Sequence, residues 1–242
     1  MIGHRLIVVA DAHLGAASAS DEEAFLAFLD AVPSLGDSLL LGGDIYDFWF
    51  TYKRLIPRHC IRVTARIVEL ARRLPVLMIG GNHDRWGDTF WDPEAGVRFD
   101  RRELRFRIGR RDLLAVHGDG LHEEGRTSGI LNRILDRPAV IAGFDLLPAS
   151  IGFRIARGLS HNPAYAAAHP EVVELAATRQ AAWAERRLRT DPALSALIMG
   201  HTHRAALLEV EPNRWYVNPG AWLGERRFAV VDDSAVRLET FG

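Results

Sequence analysis

Five short stretches carry side chains that can do chemistry, and each follows an apolar run: Asp11-Ala12-His13, Gly42-Gly43-Asp44, Gly80-Gly81-Asn82-His83-Asp84, His117-Gly118-Asp119 and Gly200-His201-Thr202-His203. Imidazole and carboxylate together are the usual donors for zinc, manganese and iron, whereas oxygen-only sets suit magnesium and calcium. Asparagine and histidine are costly to bury without partners. Read alone, any one stretch is a polar turn. Five strand ends that converge would hold two divalent cations.

Convergence needs strands whose ends meet. Leu6–Ala10, Leu39–Leu41 and Val76–Ile79 are uninterrupted apolar runs, the pattern of strands buried on both faces. Between the first two, Ser20-Asp21-Glu22-Glu23 opens a helix with a capping serine and acids in its first turn, and Pro33 closes it. Cys60 to Leu74 has helical spacing, with Ile61, Thr64, Ala65, Val68 and Ala71 on one side and Pro75 at its end. Ile45-Tyr46-Asp47-Phe48-Trp49-Phe50 reads as a helix start that packs rings on the core, with some rings available to line an apolar or nucleobase pocket. Strands alternating with helices predict α/β architecture with parallel crossovers.

Past an irregular stretch to Val97 the rhythm changes. Leu104–Ile108 alternates with period two, Gly109-Arg110-Arg111 turns, and Asp112–Val116 returns as an antiparallel partner. Further strands are predicted over Ala196–Met199, Ala206–Glu211, Trp215–Val217 and Phe228–Asp232, with a last hairpin at Ala235–Glu239. Between them, residues 121–190 hold helical patches punctuated by Pro138, Pro148, Pro163 and Pro170, the last opening a helix that runs through Val172, Leu175, Ala176 and Trp183. Two readings of that segment stand: a helical insertion over the site, or a helical layer that completes the core. Residues 1–242 read as a single domain, with no repeat, low-complexity stretch or linker.

The formal net charge is −1, so no field of the whole protein draws it to nucleic acid, and none is expected as a partner. Lys53 is the single lysine; the remaining positive charge is arginine, which suits bidentate contact with phosphate. Cys60 is the single cysteine, which excludes an internal disulfide and a Cys-rich zinc site. Leu6–Ala10 is too short for the apolar core of a signal peptide, and no run approaches the roughly 20 residues of a spanning helix. A cytoplasmic location is expected, with any membrane contact peripheral to the inner membrane. The oligomeric state is not legible.

Taken in order, Asp11-x-His13, Gly43-Asp44-x-x-Asp47, Gly81-Asn82-His83-Asp84, His117-Gly118-Asp119 and Gly200-His201-x-His203 resemble the calcineurin-like metallophosphoesterases, and Asn218-Pro219-Gly220 extends the likeness. The resemblance implies a four-layer αββα sandwich carrying a helical insertion. It implies that Asp11, His13, Asp44 and His203 bind one metal, and that Asp44, Asn82, His117 and His201 bind the other. Two such cations, about 3.5–4 Å apart, activate water and clamp both oxygens of an in-line displacement at phosphorus. His83 would then stabilise phosphoryl charge or protonate the leaving oxygen, and Asp84 would orient His83. For Asp47 and Asp119, turn capping is as good a reading as function. His4, His59, His122, His161 and His169 match no motif and read as ordinary histidines.

A narrower likeness lies in Gly43-Asp44-Ile45-Tyr46-Asp47-Phe48-Trp49-Phe50-x-Tyr52-Lys53, with Ile56-Pro57-Arg58 close behind and a helical segment before Gly200. It resembles the UDP-2,3-diacylglucosamine pyrophosphatase branch, which implies hydrolysis of that lipid-linked sugar nucleotide to UMP and 2,3-diacylglucosamine 1-phosphate in lipid A biosynthesis. The branch implies manganese as cofactor, with iron or zinc open on the donor types, and a lid whose apolar residues take acyl chains; the segment also carries Arg137, and Arg126, Arg133, Arg154 and Arg157 are the candidate substrate contacts. Members of the branch carry arginine where His83 stands here. Histidine is the general superfamily pattern, so a soluble phosphodiesterase or phosphatase stays open as the alternative. A non-catalytic scaffold is the remote third reading, and the full donor set argues against it.

Overall fold

The computed structural model describes residues 2–49, 55–87, 90–121, 134–135, 137–152, 154 and 170–242. Strands β1 (Arg5–Val9), β2 (Ser38–Leu41) and β3 (Val76–Ile79) lie side by side and parallel. A short parallel strand, β4 (Arg98–Asp100), flanks β3. The second sheet begins with an antiparallel pair, β5 (Leu104–Ile108) and β6 (Arg111–Ala115), and continues through β7 (Ala196–Ile198), β8 (Ala206–Glu211) and β9 (Arg214–Asn218) in the order β5-β6-β7-β9-β8. The chain then returns to the first sheet as β10 (Arg227–Asp232) and β11 (Val236–Thr240), giving the order β11-β10-β1-β2-β3-β4.

The period of two along each strand divides its apolar residues between two cores. Ile7, Val9, Leu39, Leu41, Val76 and Met78 face the helices α1 (Ala19–Leu35) and α2 (Ile61–Ala71). Their neighbours Leu6, Val8, Leu40, Leu77 and Ile79 meet Leu113, Ala115, Ala196 and Ile198 between the sheets. On the far side Leu114, Leu197, Met199 and Tyr216 pack under a long helix, Pro170–Thr190, through its buried Ala184 and Leu188. These three cores separate four layers, αββα. A short helix, α3 (Pro138–Asp145), precedes the long one, which is α4.

The structure departs from the sequence reading in several places. The cap of α1 is Ser18, whose Oγ accepts the Asp21 N–H at 3.2 Å, and the helix passes through Pro33 because a missing donor in the last turn forfeits one bond only. The buried stripe of α2 is centred on Val63, Thr64, Ile67 and Leu70; of the expected side, Thr64 is buried, Val68 and Ala71 pack at its margin, and Ile61 is exposed. Ile45–Trp49 is a loop and not a helix start, since the Asp84 carboxylate takes the N–H groups of Ile45 and Tyr46. Strand β4 escaped notice because three residues with one buried side chain show no period. From Gln180 onward α4 is the fourth layer of the sandwich, so the segment 121–190 is not an insertion throughout. Arg126, Arg133 and Arg157, with Phe50, Tyr52 and Lys53, lie outside the described residues; Arg154 is exposed.

Candidate metal centre

Parallel strands put the ends of β1, β2 and β3 at one edge of their sheet, and β6 and β7 do the same in theirs. The loops beyond these ends are sewn together by backbone. Asp11 N–H donates to the Gly43 carbonyl at 3.1 Å, and His13 N–H to the Asp44 carbonyl at 3.0 Å. His201 N–H donates to the Asp11 carboxylate at 3.0 Å, and His83 N–H to Asp44 Oδ1 at 2.9 Å. Asp11, His13, Asp44, His201 and His203 all have positive φ, between 45° and 71°, whereas only Asn213 and Arg226 share that conformation among the other described non-glycine residues. Each such residue stores about 1–3 kcal/mol of strain that the surrounding structure must hold. The strain therefore falls on the side chains that chemistry would use.

The donor atoms form three overlapping groups, Asp11–His13–His203, His13–Asp44–His83 and Asp44–His117–His201, each with its atoms within 4.8 Å of one another. His13 Nε2 faces His203 Nε2 at 3.1 Å, and His117 Nε2 faces Asp44 Oδ2 at 3.1 Å. Asn82 Oδ1 lies 3.0 Å from His201 Nδ1. The set suits a divalent cation on a direct observation. His117 Nδ1 is 2.9 Å from the Gly42 carbonyl, which makes Nδ1 the N–H, while the buried Nε2 faces the Asp44 carboxylate, a contact that needs a proton or a cation between the two. Nitrogen lone pairs aimed at each other or at a carboxylate oxygen call for a positive centre between them. Glycines keep the space: a Cβ on Gly81 would land on the Asp44 carboxylate, and one on Gly43 on the His117 ring.

The electrostatics follow from burial among like and unlike charges. Burial, with neighbouring histidines, pushes the His13 pKa down to about 3, so its ring is neutral and can donate a lone pair. Burial pushes Asp11 up. Burial would also raise Asp44, but His117, His83 and His13 around it hold it well below the usual carboxylate value. Burial disfavours charge on His117, yet the Asp44 carboxylate outweighs it and raises that imidazole to about 10.

The expected roles of His83 and Asp84 divide differently. His83 is buried beside His13, with ring centroids 4.9 Å apart at 85°, and its Nδ1 lies 2.6 Å from the Asp47 carbonyl. Asp47, and not Asp84, therefore orients the His83 ring. Both Asp84 oxygens are taken by backbone: Oδ1 accepts from Gly81 and Asp44, Oδ2 from Ile45 and Tyr46, at 2.7–3.3 Å. Asp84 is a buried pin between the β2 and β3 loops. Burial, with Asp44 adding to it, raises its pKa to about 6.

Sequence reasoning missed other supports. Arg85, buried next in line, pairs with Asp119 and ties the β3 loop to the β6 loop. Asn218, by contrast, is singled out by its motif but given no role there; it donates from Nδ2 to the Gly200 carbonyl at 3.0 Å and to Thr202 Oγ1 at 3.1 Å. Tyr46 and Trp49 are buried against Trp91, whereas half-buried Phe48 and Trp86 meet Phe144 of α3 and Ala149, with Trp86 and Phe144 ring centroids 5.0 Å apart. The signal for that cluster was the aromatic run beside the polar loop.

Comparison with known proteins adds to this geometry. The model of the family described as calcineurin-like phosphoesterase matches residues 4–205. A UDP-2,3-diacylglucosamine hydrolase of Klebsiella pneumoniae is 26% identical over 238 residues, covering 97% of this chain and 98% of that protein. Its counterpart from Porphyromonas gingivalis is 21% identical over 261 residues, covering 98% and 97%. Among solved structures, a phosphoesterase from E. coli aligns at 14% identity with a TM-score of 0.46, over 98% of this chain and 100% of that one.

Proposed function

The chain belongs to the calcineurin-like phosphoesterase family and is a metal-dependent hydrolase, and on that premise we propose that it cleaves the diphosphate of a lipid-linked sugar nucleotide, UDP-2,3-diacylglucosamine. The reading gives UMP and 2,3-diacylglucosamine 1-phosphate, a step of lipid A biosynthesis. The observation that carries the chemistry is the chain of shared donors: Asp44 belongs both to the group with His13 and His83 and to the group with His117 and His201, and His13 joins the first of these to Asp11 and His203. The observation that supports the substrate is likeness over nearly the full length to hydrolases of that name.

We assign one cation to Asp11, His13, Asp44 and His203, and a second to Asp44, Asn82, His117 and His201, with manganese as the metal. When bound, the pair supplies Lewis acidity and makes water a nucleophile near neutral pH. The protein's own part is to hold groups in place. Neutral His13 offers a lone pair, and the carboxylates of Asp11 and Asp44 balance the charge. His83, fixed through Nδ1 on the Asp47 carbonyl, presents its other nitrogen to the phosphoryl group. There it stabilises developing charge, or gives a proton to the oxygen that leaves when water attacks the α-phosphorus.

The acyl chains need an apolar place. Phe48, Trp86, Phe144 and Ala149 form a half-buried group next to the residues that hold His83. Leu146, 86% exposed, Ile151, Val172 and Leu175 are exposed apolar side chains between α3 and the buried half of α4. These side chains support a lid which meets the bilayer from the cytoplasmic side. No helix among the described residues is long and apolar enough to cross a membrane.

The test compares UMP release from UDP-2,3-diacylglucosamine with hydrolysis of bis(p-nitrophenyl) phosphate, both with manganese. A clear preference for the lipid substrate is expected. Faster turnover of the soluble diester would transfer the site to the second reading, a soluble phosphodiesterase, which His83 at the position of the branch's arginine favours. Substitution of zinc or iron for manganese in chelated protein tests the metal, and sedimentation with anionic vesicles at low salt tests the membrane contact.

A further inference from the structure

Helix α4 carries one polar residue on the stripe that packs against the second sheet. Gln180, with Ala184 and Leu188, is fully buried, at four-residue spacing from each next member. Its Nε2 donates to the Gly200 carbonyl at 2.9 Å. That oxygen also accepts from Asn218 Nδ2 at 3.0 Å and from the Thr202 N–H at 2.8 Å, so the Gln180 donor is not needed to offset burial of the carbonyl. Three donors on one carbonyl fix the plane of its peptide, and Gln180 is the one that comes from α4. The other end of the same peptide is the His201 N–H, which donates to both oxygens of Asp11 at 3.0 and 3.1 Å. His201 itself stands at φ 71°, a conformation its neighbours must hold. Gln180 also lies flush against the loop of His117: a Cβ on Gly118 would sit 3.0 Å from its Nε2.

We propose that Gln180 is a positioning residue of the metal centre, fixing the Gly200–His201 peptide so that His201 and Asp11 keep their places, and that α4 thereby contributes to the donor set. The proposal rests on reading Asp11, His201 and their neighbours as ligands. The residues of α4 before Gln180 are half-buried or exposed, and Glu174 among them pairs with Arg204 at 3.7 Å, next to His203.

The test is a calorimetric titration of manganese into the chelated full chain, alongside the melting temperature of the chelated protein. Variants are Gln180→Met, which keeps the shape without the donor, Gln180→Glu, which turns the donor into an acceptor, and Gln180→His, which keeps a nitrogen donor at similar reach. Gln180→Met is expected to bind at least one of two manganese ions about 10-fold more weakly, the scale of outer-sphere partners of metal ligands. Gln180→Glu should be weaker still, and Gln180→His near wild type. Wild-type affinity in Gln180→Met would overturn the proposal, whatever its melting temperature, because a merely structural role moves stability and not affinity. If Gln180→Met does not fold, equal affinities of the Glu and His variants overturn it. A wild type that takes up fewer than two ions would overturn the ligand reading itself and the proposal with it.

Discussion

His117 places Nε2 3.1 Å from Asp44 Oδ2 while its Nδ1 stands 2.9 Å from the Gly42 carbonyl. The carbonyl can only accept, so Nδ1 is the donor and Nε2 points its lone pair at a carboxylate. The contact is favourable only with a positive charge between them, a proton or a metal ion. Asp44 outweighs burial and holds the His117 proton to a pKa of about 10 against an ordinary 6.5. Manganese binding near pH 7.5 to chelated protein should therefore release about one proton, since ligands must be deprotonated. Affinity should rise with pH up to about 10. The same raised value means that the pair's contribution to the chelated fold is complete below the ordinary 6.5 and is lost as pH rises through about 10. Calorimetry in buffers of different ionisation enthalpy reads the proton count; a binding enthalpy that does not vary with buffer would refute the arrangement.

A Cβ on Gly81 would fall on Asp44 Oδ1 and 2.5 Å from the Asp44 backbone nitrogen, so Gly81→Ala should push the β2 loop aside and carry the shared carboxylate with it. Loss of both ions by elemental analysis is expected, with activity down at least about 100-fold. An alanine variant with full metal content would show that the Gly81 loop yields instead.

Much of the centre was legible because it is local. Each donor follows directly on an apolar run, and a strand buried on both faces places whatever follows it at a sheet edge. The parts that were not legible depend on distant packing. Asp84 sits beside His83 in the chain, yet its carboxylate turns to the N–H groups of Asp44, Ile45 and Tyr46, some 40 residues away. Gln180 looked like an ordinary helix residue until the helix was laid on the sheet, although a polar side chain in register with Ala184 and Leu188 was a signal. The packing of the C-terminal half of α4 as an outer layer likewise follows from which face finds a partner.

Far from the centre, Asp232 makes a stability device with a defined pH range. Burial alone would raise its pKa, but bonds from Ser234 Oγ, the Ala235 and Ser234 N–H groups and Arg237 hold it well below the ordinary 3.8. Because the folded value is depressed, the contribution is complete above about 3.8 and disappears as pH falls below it. Asp232→Asn should cost about 1–3 kcal/mol at pH 7 in denaturant unfolding. The gap from wild type should narrow steadily in acid. A difference independent of pH would assign the loss to packing.

His83 and Asp84 are neighbours with separate tasks, and their variants should separate accordingly. His83→Ala removes a ring held on the Asp47 carbonyl and leaves the other donors where they are. Turnover should fall about 100- to 10,000-fold with metal content and melting temperature near wild type. Asp47→Asn should be mild, since the acceptor for His83 is the backbone. Asp84→Asn is the opposite case. Four backbone N–H groups lean on the Asp84 carboxylate, and the asparagine amide turns a donor toward some of them. A stability loss of about 3–5 kcal/mol is expected, with metal lost in proportion to unfolding and turnover per bound metal retained. Measuring kcat, metal content and unfolding midpoint on the same preparations decides the point. If His83→Ala were to unfold the chain while Asp84→Asn stopped turnover in a stable, metal-loaded protein, the two roles would be reversed.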